Sequence, residues 1–192
     1  LIPDMAAAVE RIRLALARGE RMTIFGDYDV GGVTATAILH RHLSGLGGRV
    51  DYYIPNRNEE GYGLSAAAVE RIAAGGTGLL ITVDSGITAI EEVAHAARLG
   101  MDTIVTDHHE CQERLPSAVA VVNPKRPDCR LPFKELAGVG VVFKLICALE
   151  GRGRLQDCID RYVELTAFGT IADVMPLTCE NRILVALGIN RM

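Results

Sequence analysis

Three short apolar runs in this 192-residue chain stop at the same chemistry. Met22-Thr23-Ile24-Phe25 runs into Gly26-Asp27-Tyr28-Asp29, and Leu79-Leu80-Ile81-Thr82-Val83 runs into Asp84-Ser85-Gly86. Thr103-Ile104-Val105 runs into Thr106-Asp107-His108-His109-Glu110. Apolar runs of this length, closed by turn residues, read as buried strands. Acids and imidazoles at the carboxyl ends of neighbouring parallel strands converge on one crevice. Such a mixed oxygen and imidazole set suits Mn²⁺, Mg²⁺ or Zn²⁺, and its carboxylates favour the harder ions. Any one of these acids could instead cap the helix that follows it. Capping does not call for three acidic strand ends and a His pair together.

The segments between the runs read as helices. Asp4 is expected to cap a first helix that Gly19 ends. The Asp-x-Asp loop leads through Gly31-Gly32 into a helix carrying 33–39, and those small residues let backbone approach a phosphate or metal. A second strand is expected over 50–54, a polar loop over 55–63 and a helix from Ser65. Thr88-Ala89-Ile90-Glu91 reads as a capping box for a helix from Ala89 to about Leu99. A fifth strand over 118–122 precedes a Pro-rich loop with Lys125, Arg126, Arg130 and Lys134, the best local candidate for contact with a nucleic-acid backbone. The remainder is helical, from Leu136 and again from Leu155, with Gly169 breaking or capping the second of these helices.

Asp173 stands in an apolar run, Thr170-Ile171-Ala172-Asp173-Val174-Met175, where an unpaired charge is costly. A salt bridge, a helix cap or a metal would supply its partner. His40, His42 and His95 read as satisfied or surface side chains. Strands alternating with helices imply an α/β fold, with a parallel sheet covered on both faces by right-handed crossovers. The expected organisation is a single domain over 1–192. An α/β core occupies 1–135, and a helical extension over 136–192 carries Asp173.

Asp107-His108-His109 together with Gly26-Asp27-Tyr28-Asp29-Val30-Gly31-Gly32 resembles the DHH phosphoesterase superfamily. Within it the chain is similar to the bacterial RecJ family of single-stranded-DNA-specific exonucleases. Further matching pieces follow in family order: Ile54-Pro55-Asn56-Arg57, Glu60-Gly61-Tyr62-Gly63, Asn123-Pro124-Lys125, Leu136-Ala137-Gly138-Val139-Gly140 and Gly169-Thr170-Ile171-Ala172-Asp173. The resemblance implies a five-stranded sheet of order 2-1-3-4-5 and a centre for two Mn²⁺ or Mg²⁺ ions. Asp29 and Asp84 would hold the first ion, with Asp27 beside them. Asp84 would bridge to a second ion held also by His108 and Asp173. Asp107 would orient a neighbouring His, and His109 and Arg57 would contact the scissile phosphate. Asp29, Asp84, His108, His109 and Asp173 form the implied catalytic set.

The family pattern has three alternate acids, Asp-x-Asp-x-Asp-Gly, and here the third position is Gly31. A second ion is therefore expected to bind weakly. The implied activity is a metal-dependent phosphodiesterase core that degrades single-stranded DNA from 5′ to 3′ in recombination and repair. A related phosphodiesterase for oligonucleotides or cyclic dinucleotides, and a lapsed module that binds DNA or protein, are the alternatives. Implied partners are single-stranded DNA and further C-terminal domains of the same protein.

Composition limits how the chain could grip such a substrate. A formal charge of −4 excludes a broadly basic surface, and Trp is absent. Base stacking on aromatic rings needs more rings than this, so much of the grip is expected outside the chain. The five Cys, at 111, 129, 147, 158 and 179, form no C-x-x-C pair, which fits a reducing, cytoplasmic setting. No apolar run approaches the ~20 residues of a membrane span. The opening Leu1-Ile2-Pro3-Asp4 has neither an initiator Met nor a signal-peptide pattern, so a piece of a longer protein is expected.

Overall fold

The structure, a computed structural model, describes residues 2–56, 61 and 63–192. Five strands form one sheet: β1 Arg21–Gly26, β2 Arg49–Tyr53, β3 Leu79–Val83, β4 Asp102–Thr106 and β5 Ala120–Val122. Their order is β2-β1-β3-β4-β5 and every pairing is parallel. Alternate strand residues feed two cores. Ile24, Ile81, Ile104 and Val122 face one side, and Phe25, Leu80, Val105 and Val121 face the other. Burial on both faces is why these strands read as continuous apolar runs.

The first core lies under α1 Met5–Arg18, α2 Val30–Gly45 and α5 Gly138–Glu150. The second lies under α3 Ala66–Ala74 and α4 Ile90–Arg98. A 3-10 turn, Arg152–Arg154, leads into α6 Leu155–Ala172, and α7 Cys179–Ile189 packs against α6. Register places the site. Gly26 pairs with Val83, and Val83 with Thr106. Asp27, Asp84 and Asp107 therefore stand one residue beyond three adjacent strand ends.

Some local expectations fail for physical reasons. Asp4 makes no cap bond, because its carboxylate accepts from the Val121 amide at 3.1 Å and from Arg126 at 2.6 Å. Thr88 does not cap α4, which begins one residue later behind Ala89 without a side-chain cap. Gly169 neither breaks nor caps α6 but lies inside it. A Cβ there would stand 2.4 Å from Thr34 Oγ1 and 2.8 Å from Val139 Cγ1, so the glycine serves close helix packing. β2 and β5 occupy 49–53 and 120–122, narrower or shifted relative to the apolar pattern.

The end of α6 is strained where it meets the site. Asp173 is the last half-helical residue, Val174 N donates to Ile171 O at 3.0 Å and Met175 N to Thr170 O at 3.3 Å. That is a Schellman closure, whose left-handed position normally carries glycine. Here it carries Val174, with φ 53° and a side chain left 86% exposed. A left-handed β-branched residue costs about 1–2 kcal/mol, part of which glycine would return through its looser unfolded chain. Val174→Gly should therefore raise stability by about 0.5–1 kcal/mol. A higher urea midpoint at unchanged slope is the expected reading, and a lower midpoint would show that Val174 makes contacts that outweigh its strain.

Candidate metal centre

Asp84 is the centre's most confined acid. It follows β3 with φ 58°, a left-handed conformation that Asp tolerates better than most residues. Its carboxylate lies between the first turns of two helices. A Cβ on Gly31, in α2, would stand 2.4 Å from Asp84 Oδ2, and one on Gly138, in α5, would stand 2.0 Å from Asp84 Oδ1. Two side-chain-free positions thus make the slot that this carboxylate fills. Helix N-termini favour an anion there.

His108 lies between Asp84 and Asp173, and Asp29 acts on Asp84 through its charge. Asp29 caps α2, accepting from Gly32 N at 2.8 Å. Capping and metal binding are compatible, because a carboxylate has a second oxygen. Asp27 is buried and accepts from Tyr28 N at 2.7 Å. His108 Nε2 lies 3.0 Å from Asp84 Oδ1 and 3.4 Å from Asp173 Oδ2. Asp84, His108 and His109 each offer a ligand atom, all within 4.8 Å of one another. Arg57 lies outside the described residues.

A divalent cation fits this arrangement on its hydrogen bonding alone. Asp84 Oδ1, Asp173 Oδ2 and both ring nitrogens of His108 are shielded from solvent and have no hydrogen-bond partner. The short His108–carboxylate distances are close enough for attraction but are not aligned as hydrogen bonds. Buried polar atoms without partners are costly. The convergence of Asp84 Oδ1, Asp173 Oδ2 and His108 Nε2 is what a shared ion would satisfy, while His108 Nδ1 points away from it. Gly31 faces the Asp84 and Asp29 carboxylates, and Asp84 occupies the space that a side chain there would need.

Charge explains the protonation states. Burial pushes the Asp84 carboxyl up to about 6, against the pull of His108, and Asp29 adds repulsion. Burial also raises Asp27 and Asp173, and Asp29 repels both. These couplings place the acids within one electrostatic neighbourhood. Asp107 goes the other way. Burial raises it, but the His109 hydrogen bond and the Ile87 amide outweigh that and hold it below its usual value. Its Oδ1 accepts from His109 Nδ1 at 2.7 Å and His108 N at 2.7 Å, and its Oδ2 accepts from Ile87 N at 2.9 Å.

The Asp107 hydrogen bond in turn lifts His109 to about 9, against burial. His109 is thus an imidazolium at neutral pH. Asp107→Asn should drop it toward its ordinary ~6.5, read by the pH titration of the ring proton resonance. The stability consequence has two signs. The Asp107 contribution is present above ~4 and lost as pH falls through its depressed value. The His109 contribution is present below ~6.5 and lost as pH rises through about 9. Asp107→Asn should abolish the alkaline loss, and a retained loss would assign it to another group.

Three residues near the centre, Gly138, Asn123 and Lys125, carry roles that the sequence alone does not assign. Gly138 was visible only as part of a motif. Asn123 is fully buried and donates Nδ2 to His109 O at 3.0 Å, fixing the His109 backbone. Lys125 ends the matching piece Asn123-Pro124-Lys125, which Arg126 does not share, but the sequence gives it no role beyond the basic loop. Beside His109 and Asp107 lies a cavity of about 390 Å³, bordered by Leu64, Gly86, Ile87, Thr88 and Glu92. That volume is in the range of a small-molecule subsite. His40, His42 and His95 lie away from the centre, bonded to Val50 O, the Tyr162 hydroxyl and Glu70.

A parallel sheet of this order, with Asp-His-His behind its fourth strand, defines a class, and the chain belongs to it: residues 21–170 match the DHH family, N-terminal domain. The relatives narrow the likeness. The chain is 47% identical over 188 residues to "Single-stranded-DNA-specific exonuclease RecJ" of Bacillus subtilis, covering 98% of the chain and 23% of that protein. It is 43% identical over 196 residues to the Escherichia coli protein of the same name, covering 96% of the chain and 34% of the relative. An exonuclease RecJ structure bound to manganese superposes with TM-score 0.90 at 40% identity, covering the whole chain and 48% of that structure. RecJ of Thermus thermophilus in complex with Mn²⁺ gives 0.84 at 36% identity, over 99% of the chain and 27% of that structure. The chain spans about a quarter to a third of the length of these curated relatives. Among the described residues no helix is long and apolar enough to cross a membrane.

Proposed function

We propose that this chain is the metal-binding catalytic core of a RecJ-like exonuclease that hydrolyses single-stranded DNA from its 5′ end in recombination and repair, in the cytoplasm. The observation that carries the reading is the set of shielded, unpartnered donor atoms of Asp84, His108 and Asp173 at the ends of β3 and β4 and of α6. The names and bound Mn²⁺ of the relatives supply the substrate class and the ion. Mn²⁺ or Mg²⁺ bound here would supply an activated water and a counter-charge for the phosphoryl oxygens. Asp27, Asp29 and Asp84 would hold one ion, and Asp84, His108 and Asp173 a second. His109, held as a cation by Asp107, faces the same space and would bind a phosphate oxygen where charge develops. Arg57 is proposed as a further phosphate contact. The cavity beside His109 would receive the terminal nucleotide. Domains of the longer protein beyond this chain are proposed to complete the grip on the strand, which the acidic chain alone supplies poorly.

The test is degradation of end-labelled oligodeoxynucleotides in Mn²⁺ by the wild type and by Asp84→Asn. Release of the 5′ label first, with at least a ~100-fold loss in the variant, is expected. Intact long strands alongside cleavage of dinucleotides would indicate a different enzyme of the superfamily. Binding without any cleavage would indicate a lapsed module.

A further inference from the structure

The four basic residues after β5 do not act alike. Arg126 is committed to the fold: its guanidinium, mostly covered, binds Asp4, Asp128 and the Val121 carbonyl. Lys125 is placed differently. The Asn123 side chain that donates to His109 O also accepts from Lys125 N, at 2.8 Å. One buried amide thus ties the loop carrying His109 to the loop carrying Lys125. The Lys125 side chain is 18% exposed, and its ammonium lies 3.0 Å from Glu110 and 3.8 Å from Glu135. Glu110, next in sequence to His109, is 81% exposed at its side chain. The Lys125 charge also reaches Asp173, whose carboxyl it stabilises as an anion.

We infer that Lys125 is a phosphate-binding residue that takes the strand phosphate adjacent to the scissile one in place of Glu110. The inference rests on the phosphodiesterase reading above and adds a contact to it. A solvent-exposed ion pair is weak and easily exchanged. A phosphodiester brings its own negative charge to the same ammonium, whereas Glu110 costs little to release into water. The mostly covered side chain and the Asn123 tie at its backbone set the ammonium against Glu110, within electrostatic reach of Asp173, which a flexible surface lysine would not have.

Binding of a labelled oligothymidylate by the 192-residue chain, with Ca²⁺ in place of Mn²⁺, tests this across a salt series. Loss of one phosphate contact on a single strand should make the slope of log affinity against log salt shallower by about 0.7. Lys125→Met should show that change with weaker binding, and Lys125→Arg should restore the slope. Mn²⁺ affinity, measured separately by titration, should be unchanged or tighter in Lys125→Met, since a cation near Asp173 has gone. An unaltered salt slope in Lys125→Met overturns the inference and leaves the phosphodiesterase reading intact. Parallel weakening of DNA and Mn²⁺ binding would overturn it too, by showing a purely structural lysine. Absence of any DNA binding by the wild type would overturn the inference, because the lysine would then hold no phosphate, while the phosphodiesterase reading is judged by cleavage.

Discussion

Gly138→Ala is expected to weaken Mn²⁺ binding by at least ~10–100-fold, the cost typical of lost support around a metal ligand. The new methyl would stand 2.0 Å from Asp84 Oδ1, 2.4 Å from its Cγ and 2.7 Å from its Cβ. Rotating the carboxylate relieves the first two contacts, but the third involves an atom fixed by the backbone. The start of α5 must therefore draw back as Asp84 turns away. Overpacking of this kind costs about 1–3 kcal/mol of stability, while Ala for Gly in a helix returns about 0.5–1 kcal/mol. The loss in metal affinity, about 1.4–2.7 kcal/mol, should be at least as large as the net change in folding. Gly140→Ala, two residues on and turned away from Asp84, is the control: its methyl would meet Leu136 at 3.4 Å, an ordinary contact. Titration of Mn²⁺ followed by electron paramagnetic resonance reads both variants. Equal affinities in Gly138→Ala and Gly140→Ala would mean that the slot around Asp84 does not set the geometry of the centre.

Gly31→Asp should act in the opposite direction once metal is present. Its Cβ would lie 2.4 Å from Asp84 Oδ2 and 3.3 Å from Asp29 Oδ1, so the added carboxylate enters the centre itself. Without metal, the variant adds a further mutually repelling acid and pushes against Asp84, so its melting temperature should fall. With saturating Mn²⁺ the new ligand should raise the affinity of the weaker ion by at least ~10-fold, and the melting temperature should rise by more than it does in the wild type. The two shifts of opposite sign separate a restored ligand from a surface effect. A variant with the same Mn²⁺ stoichiometry and affinity as the wild type would show that Gly31 is not a departed ligand position.

Much of this architecture is legible from local pattern. β1, β3 and β4 lie where apolar runs end at Gly or acid, because strands buried on both faces leave no alternation to misread. Parallel pairing follows from helices between them, the strand order is what the family resemblance implies, and the row of Asp27, Asp84 and Asp107 follows from register. What local pattern hides is partnership across the chain. Asp4 has the composition of a cap, yet Arg126, far away in sequence, claims its carboxylate. Thr88 has capping-box spacing, but the loop before it is held by Ile87 N bonding to Asp107. Gly169 reads as a helix end, and only the approach of Thr34 and Val139 shows why an internal glycine is needed. Gly138 and Gly31 are the same lesson at the site: a glycine shows that space is required but not whose side chain takes it. Val174 is a different case, since nothing in an apolar run marks one residue as left-handed.

Anomalous scattering at the manganese edge, from crystals of this chain soaked in Mn²⁺, bears most directly on the shared centre. A strong peak bonded to Asp84 and the Asp29 side of the cluster, with a weaker one between Asp84, His108 and Asp173, is the expected map. Peaks only on exposed acids, or none in bonding contact with Asp84 and His108, would contradict it.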